Sequence, residues 1–346
     1  MTTAPHPLVV RARRLADELL APQAARVDEE GVPASHITAV KESGLLGTNA
    51  PEEYGGWGAP SAVARRTAEI LAGACCSTWF VQTQHHTPVQ LLAAGASPVR
   101  ERLLRPLATG ELLAGIAYAH VRAFPKVLVR AAREGDGWRF DGTVPWYTGW
   151  GLNDVMLLAG VTDEGEVVFA FTDARAQPGL RPSPPMRLAA LTAARTVSLE
   201  LTGLRAAEED VVLRTPYERF ALLDRARSAH AVPAVFGVAE AALALLEEAD
   251  QDLAGHWRGR LADVRRRAYD LADHPVPQER LDEKLAVRAQ ALELARTVTT
   301  AAVVAGGGRS MLLGSSAQRL AREALFLLVQ GQTANARSAH LRLLAE

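Results

Sequence analysis

Cysteine is nearly absent. The chain has two, Cys75 and Cys76, adjacent in sequence and unable to bridge each other without strain, so neither an intramolecular disulfide framework nor a thiolate metal cluster is available. A reducing, cytoplasmic setting is the expectation. Lysine is rare as well, and the basic residues form no run longer than Arg265-Arg266-Arg267. With 38 Lys and Arg against 39 Asp and Glu the formal net charge is -1, which leaves no electrostatic footprint for nucleic acid. The nine histidines show no H-x-x-x-H or H-x-x-E spacing, so no metal site is expected. The N-terminal apolar patch in MTTAPHPLVVRARRLADELL is broken by Arg11, Arg13 and Arg14 and makes no signal-peptide core; elsewhere no apolar run of membrane-spanning length is expected.

What is present is a chain of 346 residues, 48% hydrophobic, large enough to bury two or three structural units. Apolar positions recur at helical spacing in VVRARRLADELLA, ITAVKESGLLG and PSAVARRTAEILAGACCSTWFVQTQHHTPVQLLAAG, which predicts a helical domain over 1–112. From Ala114 the pattern changes to short β-rich runs (AGIAYA, KVLVRAAR, GWRFDGTVPWYT, DVMLLAGV, VVFAFTD, TVSLELTG) separated by Gly, Asp and Pro turns. These predict a compact antiparallel β domain over 113–214. Helical periodicity returns over 215–346, and Asp273-His274-Pro275-Val276-Pro277 divides two long helices because proline continues neither. A helical bundle is the packing solution for such a segment.

Four motifs resemble those of the acyl-CoA dehydrogenase superfamily, which includes flavin-dependent monooxygenases. Glu52-Glu53-Tyr54-Gly55-Gly56-Trp57-Gly58 resembles the family's P-E-x-Y-G-G-x-G turn and is assigned no chemistry. Asp141-Gly142-Thr143-Val144-Pro145-Trp146-Tyr147-Thr148-Gly149 is similar to the family's G-x-K-x-W-I-T-N-G hairpin. Arg195 to Leu204 resembles the strand closing the β domain. Gly306-Gly307-Gly308-Arg309-Ser310, followed by Gln318-Arg319-Leu320 and Arg322-Glu323, resembles G-G-x-G-Y and E-R-L-x-R-D-A. The resemblance implies an α+β, mainly helical fold: an N-terminal helical domain, a small β-barrel and a C-terminal bundle. It also implies FAD as cofactor, with Trp146 against the flavin ring, Thr148 and Gly149 beside it, Gly307 and Gly308 near the dinucleotide of a flavin held by a neighbouring subunit, and Thr333 in the C-terminal flavin and substrate region. Homodimers or homotetramers through the C-terminal bundle follow from the same resemblance.

Departures from the family pattern bear on chemistry. The dehydrogenases take the α-proton of an acyl thioester with a glutamate in Y-E-G-T. Counted from Arg322-Glu323, this chain has Gln330-Gly331-Gln332-Thr333, with Gly331 in that place. Some relatives supply the base from the first bundle helix, where Asp224 and Glu240 are the acids between Phe220 and Leu245. The A-L-T-E-P-x-x-G-S-D segment is replaced by Ala117-Tyr118-Ala119-His120-Val121-Arg122, which makes His120 and Arg122 candidate catalytic residues. His86, or His85 beside it, is a further acid–base candidate; adjacent helical residues face about 100° apart, so one of the two can enter a pocket. The acidic run Glu247, Glu248, Asp250 and Asp252 is expected to disfavour a pyrophosphate, which makes FMN, or reduced flavin from a partner reductase, an alternative to FAD.

Three functions are compatible with these residues. The first is a flavin-dependent oxidoreductase acting on an acyl thioester, on CoA or a carrier protein, or on a related small molecule, passing electrons to an external acceptor. The second is a flavin monooxygenase using reduced flavin and oxygen, which needs no α-proton base. The third is a scaffold repurposed without redox chemistry.

Overall fold

The structure is a computed structural model and describes residues 4–346. Helices α1 (Pro7–Leu15), α2 (Ala21–Glu30), α3 (Ala34–Glu42), α4 (Ser61–Ala74), α5 (Cys76–Thr83), α6 (His86–Ala94) and α7 (Pro98–Thr109) make up the N-terminal part. Prolines at the first positions of α1 and α7 suit ends whose N–H groups have no helical acceptor.

Strands β1 (Ala114–Ala117), β2 (Val129–Glu134), β3 (Gly137–Tyr147), β4 (Val155–Val161), β5 (Glu166–Asp173), β6 (Leu180–Pro182), β7 (Val197–Ala207) and β8 (Val211–Pro216) form one sheet in the order β6-β7-β3-β2-β4-β5-β8, with β1 on β4. The expectation of a purely antiparallel domain is corrected here: β1 runs parallel to β4, Ala114 opposite Val155 through Ala117 opposite Leu158. Parallel pairing needs a long connection, and β2 and β3 lie within it. Both faces of β4 are buried. Met156 and Leu158 join Phe140, Tyr147 and Leu199 in the core of the β domain, while Val155, Leu157 and Ala159 pack with Leu103, Leu104 and Leu107 of α7. This explains an unbroken apolar run where one wet face would require alternation.

The C-terminal part comprises α8 (Tyr217–Ser228), α9 (Pro233–Glu247), α10 (Gln251–Ala272), α11 (Leu281–Gly306), α12 (Ser316–Leu327) and α13 (Ala334–Leu343). The break around Pro275 and Pro277 falls between α10 and α11 as the prolines predict. Tyr217–Glu247 is, by length and composition, apolar enough to cross a bilayer, contrary to the expectation from the sequence. Its apolarity has a packing explanation: Val235, Phe236, Val238, Leu243 and Leu246 are buried among the other helices, and Ala229 to Val232 divide the stretch into two helices. Helices α4 and α9 touch through glycine. A Cβ on Gly237 would lie 2.0 Å from the Glu69 carbonyl oxygen, and one on Gly73 would lie 2.6 Å from that of Gly237.

Candidate functional site

A cavity of about 1180 Å³ opens where the three parts of the chain meet. Phe80, Thr83, Gln84 and Thr87 of the N-terminal helices line one side. Ile116, Tyr118, His120, Arg122, Trp146, Thr148 and Thr196 come from the β domain, Tyr217, Phe220 and Asp224 from α8, and Phe326 with Gln330 to Asn335 from the end of α12 and the following turn. Pockets for one small ligand run roughly 300–1,000 Å³, so this cavity is of the size that takes a large ligand.

Trp146 reaches the cavity through an irregularity written into the sequence. Val144 pairs with Leu199 and Tyr147 with Val197, so Pro145 and Trp146 together oppose the single residue Ser198. Proline has no N–H to give the ladder, and a bulge at this point re-aims the next side chain. Trp146 is consequently 59% exposed although it is on a long strand. Thr148 is buried, and its hydroxyl has a single contact, Thr196 Oγ1 at 3.3 Å. Gly149 does not line the cavity. It forms the turn after β3 with φ +83°, and a Cβ there would meet Asn153 Nδ2 at 2.6 Å. That same Nδ2 donates to Thr148 O and to Tyr147 Oη, both at 2.9 Å, which fixes the hairpin carrying Trp146 and Thr148.

His120 and Arg122 sit in a 3-10 turn, Ala119–Ala123. His120 Nε2 is 2.9 Å from Ala159 O, its Nδ1 is buried without a partner, and burial pulls its pKa from the ordinary 6.5 to about 4, against the pull of the Ala159 bond. Arg122 Nε and Nη2 both donate at 2.7 Å to the Asp224 carboxylate across the cavity wall. Asp224 is the sole acidic residue lining the cavity among the described residues. Glu240 is elsewhere, 36% exposed at its side chain and bonded to Arg265 Nη2 at 2.9 Å.

His86 does not line the cavity: its Nε2 faces Gln82 Nε2 at 2.8 Å. His85 is also turned away, accepting at Nδ1 from Ala114 N at 3.0 Å. Both α6-flanking residues therefore tie helices to the β domain or to each other rather than facing a ligand. Gly331, with φ +59°, and Thr333 do line the cavity, and Thr333 caps α13 by accepting from Ala336 N at 3.3 Å. Gly307 and Gly308 lie at the end of α11, outside the cavity wall; a Cβ at either would meet nothing within 4 Å. The acidic run is an exposed turn in which Asp250 caps α10 by accepting from Leu253 N at 2.9 Å. Its charges have a local structural role and point to solvent.

One residue escaped sequence reasoning. Arg288 of α11 is buried with no carboxylate partner and donates to the carbonyls of Ser228 (3.1 Å), His230 (3.0 Å) and Gln330 (2.9 Å). Burial, with Arg122 adding to it, lowers its pKa to about 10. It anchors the Gln330 turn to the bundle, and nothing in the helical pattern around it distinguishes it from a solvated arginine. Among the described residues no group of three or more His, Cys, Asp or Glu is placed to hold a metal ion.

Four imidazoles, His85, His86, His120 and His230, have pKa values lowered to about 3, 4, 4 and 4, with burial the largest cause in each. Below pH 6.5 the unfolded chain takes up protons that the folded chain refuses, so stability is full above that pH and is lost as pH falls toward 4. Urea unfolding midpoints are expected to agree at pH 7 and 8 and to be clearly lower at pH 5; equal midpoints at pH 5 and 7.5 would contradict this.

Residues 6–111 match the family described as acyl-CoA dehydrogenase, N-terminal domain. A probable acyl-CoA dehydrogenase of Mycobacterium tuberculosis is 27% identical over 254 residues, which cover 69% of this chain and 65% of that protein. The chain thus spans less than two thirds of that relative's length. Butyryl-CoA dehydrogenase from Megasphaera elsdenii superposes with a TM-score of 0.84 at 17% identity, covering 100% of both chains. A dibenzothiophene monooxygenase from Paenibacillus sp. A11-2 superposes with a TM-score of 0.81 at 18% identity, covering 98% of this chain and 97% of that one. At these identities the two structures establish the shared fold.

Proposed function

We infer that this chain, a relative of the acyl-CoA dehydrogenases in fold and sequence, is a flavin-dependent oxidoreductase whose cavity holds the flavin ring beside a small, largely apolar substrate. The observation that carries this reading is the exposed face of Trp146, set by the β3 bulge on a cavity of about 1180 Å³, with the Thr148 hydroxyl two residues on. An aromatic face and an underused hydroxyl fit a planar, heteroatom-rich ring. FAD is the proposed cofactor, with FMN or reduced flavin from a partner reductase as the alternative; bound there, it supplies hydride or electron transfer to and from the substrate.

The chain's own residues limit the reaction. Abstraction of an α-proton from a thioester requires a free base at the substrate. Gly331 brings no side chain, and both oxygens of Asp224 are held by Arg122. The same observation favours oxygenation as a second reading, since that chemistry does not need the carboxylate. Protein loaded with FAD and mixed anaerobically with butyryl-CoA and octanoyl-CoA is expected to keep its 450 nm absorbance over minutes. Rapid bleaching would contradict this and require a base among these residues.

Assembly as a homodimer or homotetramer through the C-terminal bundle is part of this proposal. Val304, Met311, Leu312 and Leu313, clustered at the end of α11 and the turn after it, are 64–74% exposed, which supports a covered surface there.

A further inference from the structure

We propose that the cavity binds a small organic acid whose carboxylate is received by the guanidinium groups of Arg122 and Arg225, with its apolar body along the remaining wall. The proposal rests on reading this cavity as the substrate site and adds the charge of the substrate to that reading.

The charges on the wall are few. Arg122, Asp224 and Arg225 line the cavity together with His120, which is neutral at pH 7.5 because burial lowers its pKa to about 4. Asp224 accepts from Nε and Nη2 of Arg122, both at 2.7 Å. Nη1 of Arg122 is left without a partner. It is not among the polar atoms sealed from solvent, and the side chain is 29% exposed on the cavity wall, so this N–H is open to a ligand. Arg225 follows Asp224 on α8, is exposed, and makes no side-chain hydrogen bond or ion pair among the described residues.

A third guanidinium adds to the same field. Arg288 is 4% exposed and donates to the carbonyls of Ser228, His230 and Gln330, with no carboxylate beside it; Gln330 itself lines the cavity. It lies near enough to Arg122 for that charge to help lower its pKa. Three positive charges therefore stand against the one carboxylate of Asp224, in a cleft where water screens them less than at an open surface. An excess of one sign in such a cleft concentrates ligands of the other sign. A neutral carbonyl, as at the reacting end of an acyl thioester, takes the Nη1 hydrogen bond and leaves that charge unanswered. A carboxylate answers both, through charge-assisted hydrogen bonds that guanidinium groups are shaped to give. Away from the two arginines the wall presents Ile116, Phe220, Phe326 and Leu328, which suits a hydrocarbon body.

The test is titration calorimetry on the full chain at pH 7.5, with and without FAD. Octanoate is compared with octanamide, and 2-naphthoate with 2-naphthamide; each amide keeps the shape and the carbonyl of its acid and lacks the charge. At least one acid is expected to bind about tenfold more tightly than its amide, the worth of one hydrogen bond between charged groups. Arg122→Gln should abolish the preference. Arg225→Gln, at an exposed position, should reduce it severalfold, and Asp224→Asn, which removes the opposing carboxylate, should increase it. These two decide the matter if the Arg122 variant does not fold, since a merely structural role would not give opposite shifts at adjacent residues. Free coenzyme A tells a carboxylate from a phosphate as the bound anion. Equal affinities for acid and amide in both pairs, or no binding of any probe, would overturn the proposal. So would a preference that Arg225→Gln and Asp224→Asn leave unchanged, or coenzyme A binding that depends on Arg225 while neither acid binds. Failure of the flavin reading shows separately, as FAD absorbance that the chain does not alter, and leaves the acid and amide affinities as the measure of this one.

Discussion

Glu323→Ala is expected to cost about 3–5 kcal/mol of stability, the range seen when one partner of a buried ion pair is removed. Arg319 Nη1 donates to Glu323 Oε1 at 2.7 Å across one turn of α12, and both residues are buried. Burial raises the carboxyl's pKa despite the pull of Arg319, but a guanidinium left alone has no comparable escape, because it does not deprotonate in the working pH range. Glu323 Oε2 and Arg319 Nε have no hydrogen-bond partners, so truncation of the acid takes from Arg319 its bonded carboxylate and leaves only the more distant charge of Asp28. The pair lies near Cys75 and Cys76, whose thiols are pushed up by burial and then by Glu323. A double variant, Arg319→Met with Glu323→Leu, is expected to recover most of the loss, since apolar replacements of a buried pair are often neutral or better. Urea unfolding at pH 7.5 reads both; a single variant within 1 kcal/mol of wild type would show the pair to be dispensable.

Trp146→Ala is expected to weaken flavin binding by on the order of 2 kcal/mol, about thirtyfold, through loss of roughly 80 Å² of apolar contact at about 25 cal/mol/Å². The side chain is 59% exposed in a bulge with no ladder partner, so its removal should leave helical circular dichroism and the unfolding midpoint close to wild type. This separation of binding from stability distinguishes a ligand platform from a core tryptophan such as the buried Trp79. Unchanged flavin affinity would sink the assignment of Trp146. Weakened affinity together with a collapsed unfolding midpoint would reassign it to the core.

Local patterns were the most legible part of the sequence. Helical periodicity and the prolines after Asp273 place α10 and α11. The bulge that exposes Trp146 goes beyond the hairpin motif read in the sequence, although Pro145, without an N–H, cannot hold a ladder position. Thr333, read from the family resemblance as a residue of the flavin and substrate region, lines the cavity, and its capping bond to Ala336 N is a role that the sequence reading did not give it. Long-range pairings were not legible. Arg122 and Asp224 are 102 positions apart, and no local pattern ties a 3-10 turn to one face of α8. The parallel contact of β1 with β4 depends on how the intervening strands fold back, which a period-two pattern does not encode. His86 read as a pocket residue because helical spacing separates it from His85 without saying which face is buried; the Gln82 contact decides this in three dimensions. Arg288 stayed hidden because a buried guanidinium satisfied by three carbonyls looks, in sequence, like any arginine on a long helix.

The most direct test of the account is an absorbance and fluorescence titration of the purified full chain with FAD and with FMN. The account predicts saturable binding of one flavin per chain, with structured 450 nm absorbance and quenched emission, and a weaker complex in Trp146→Ala. A chain that leaves both flavins free in solution at micromolar concentration would contradict the claim that this cavity is a flavin site.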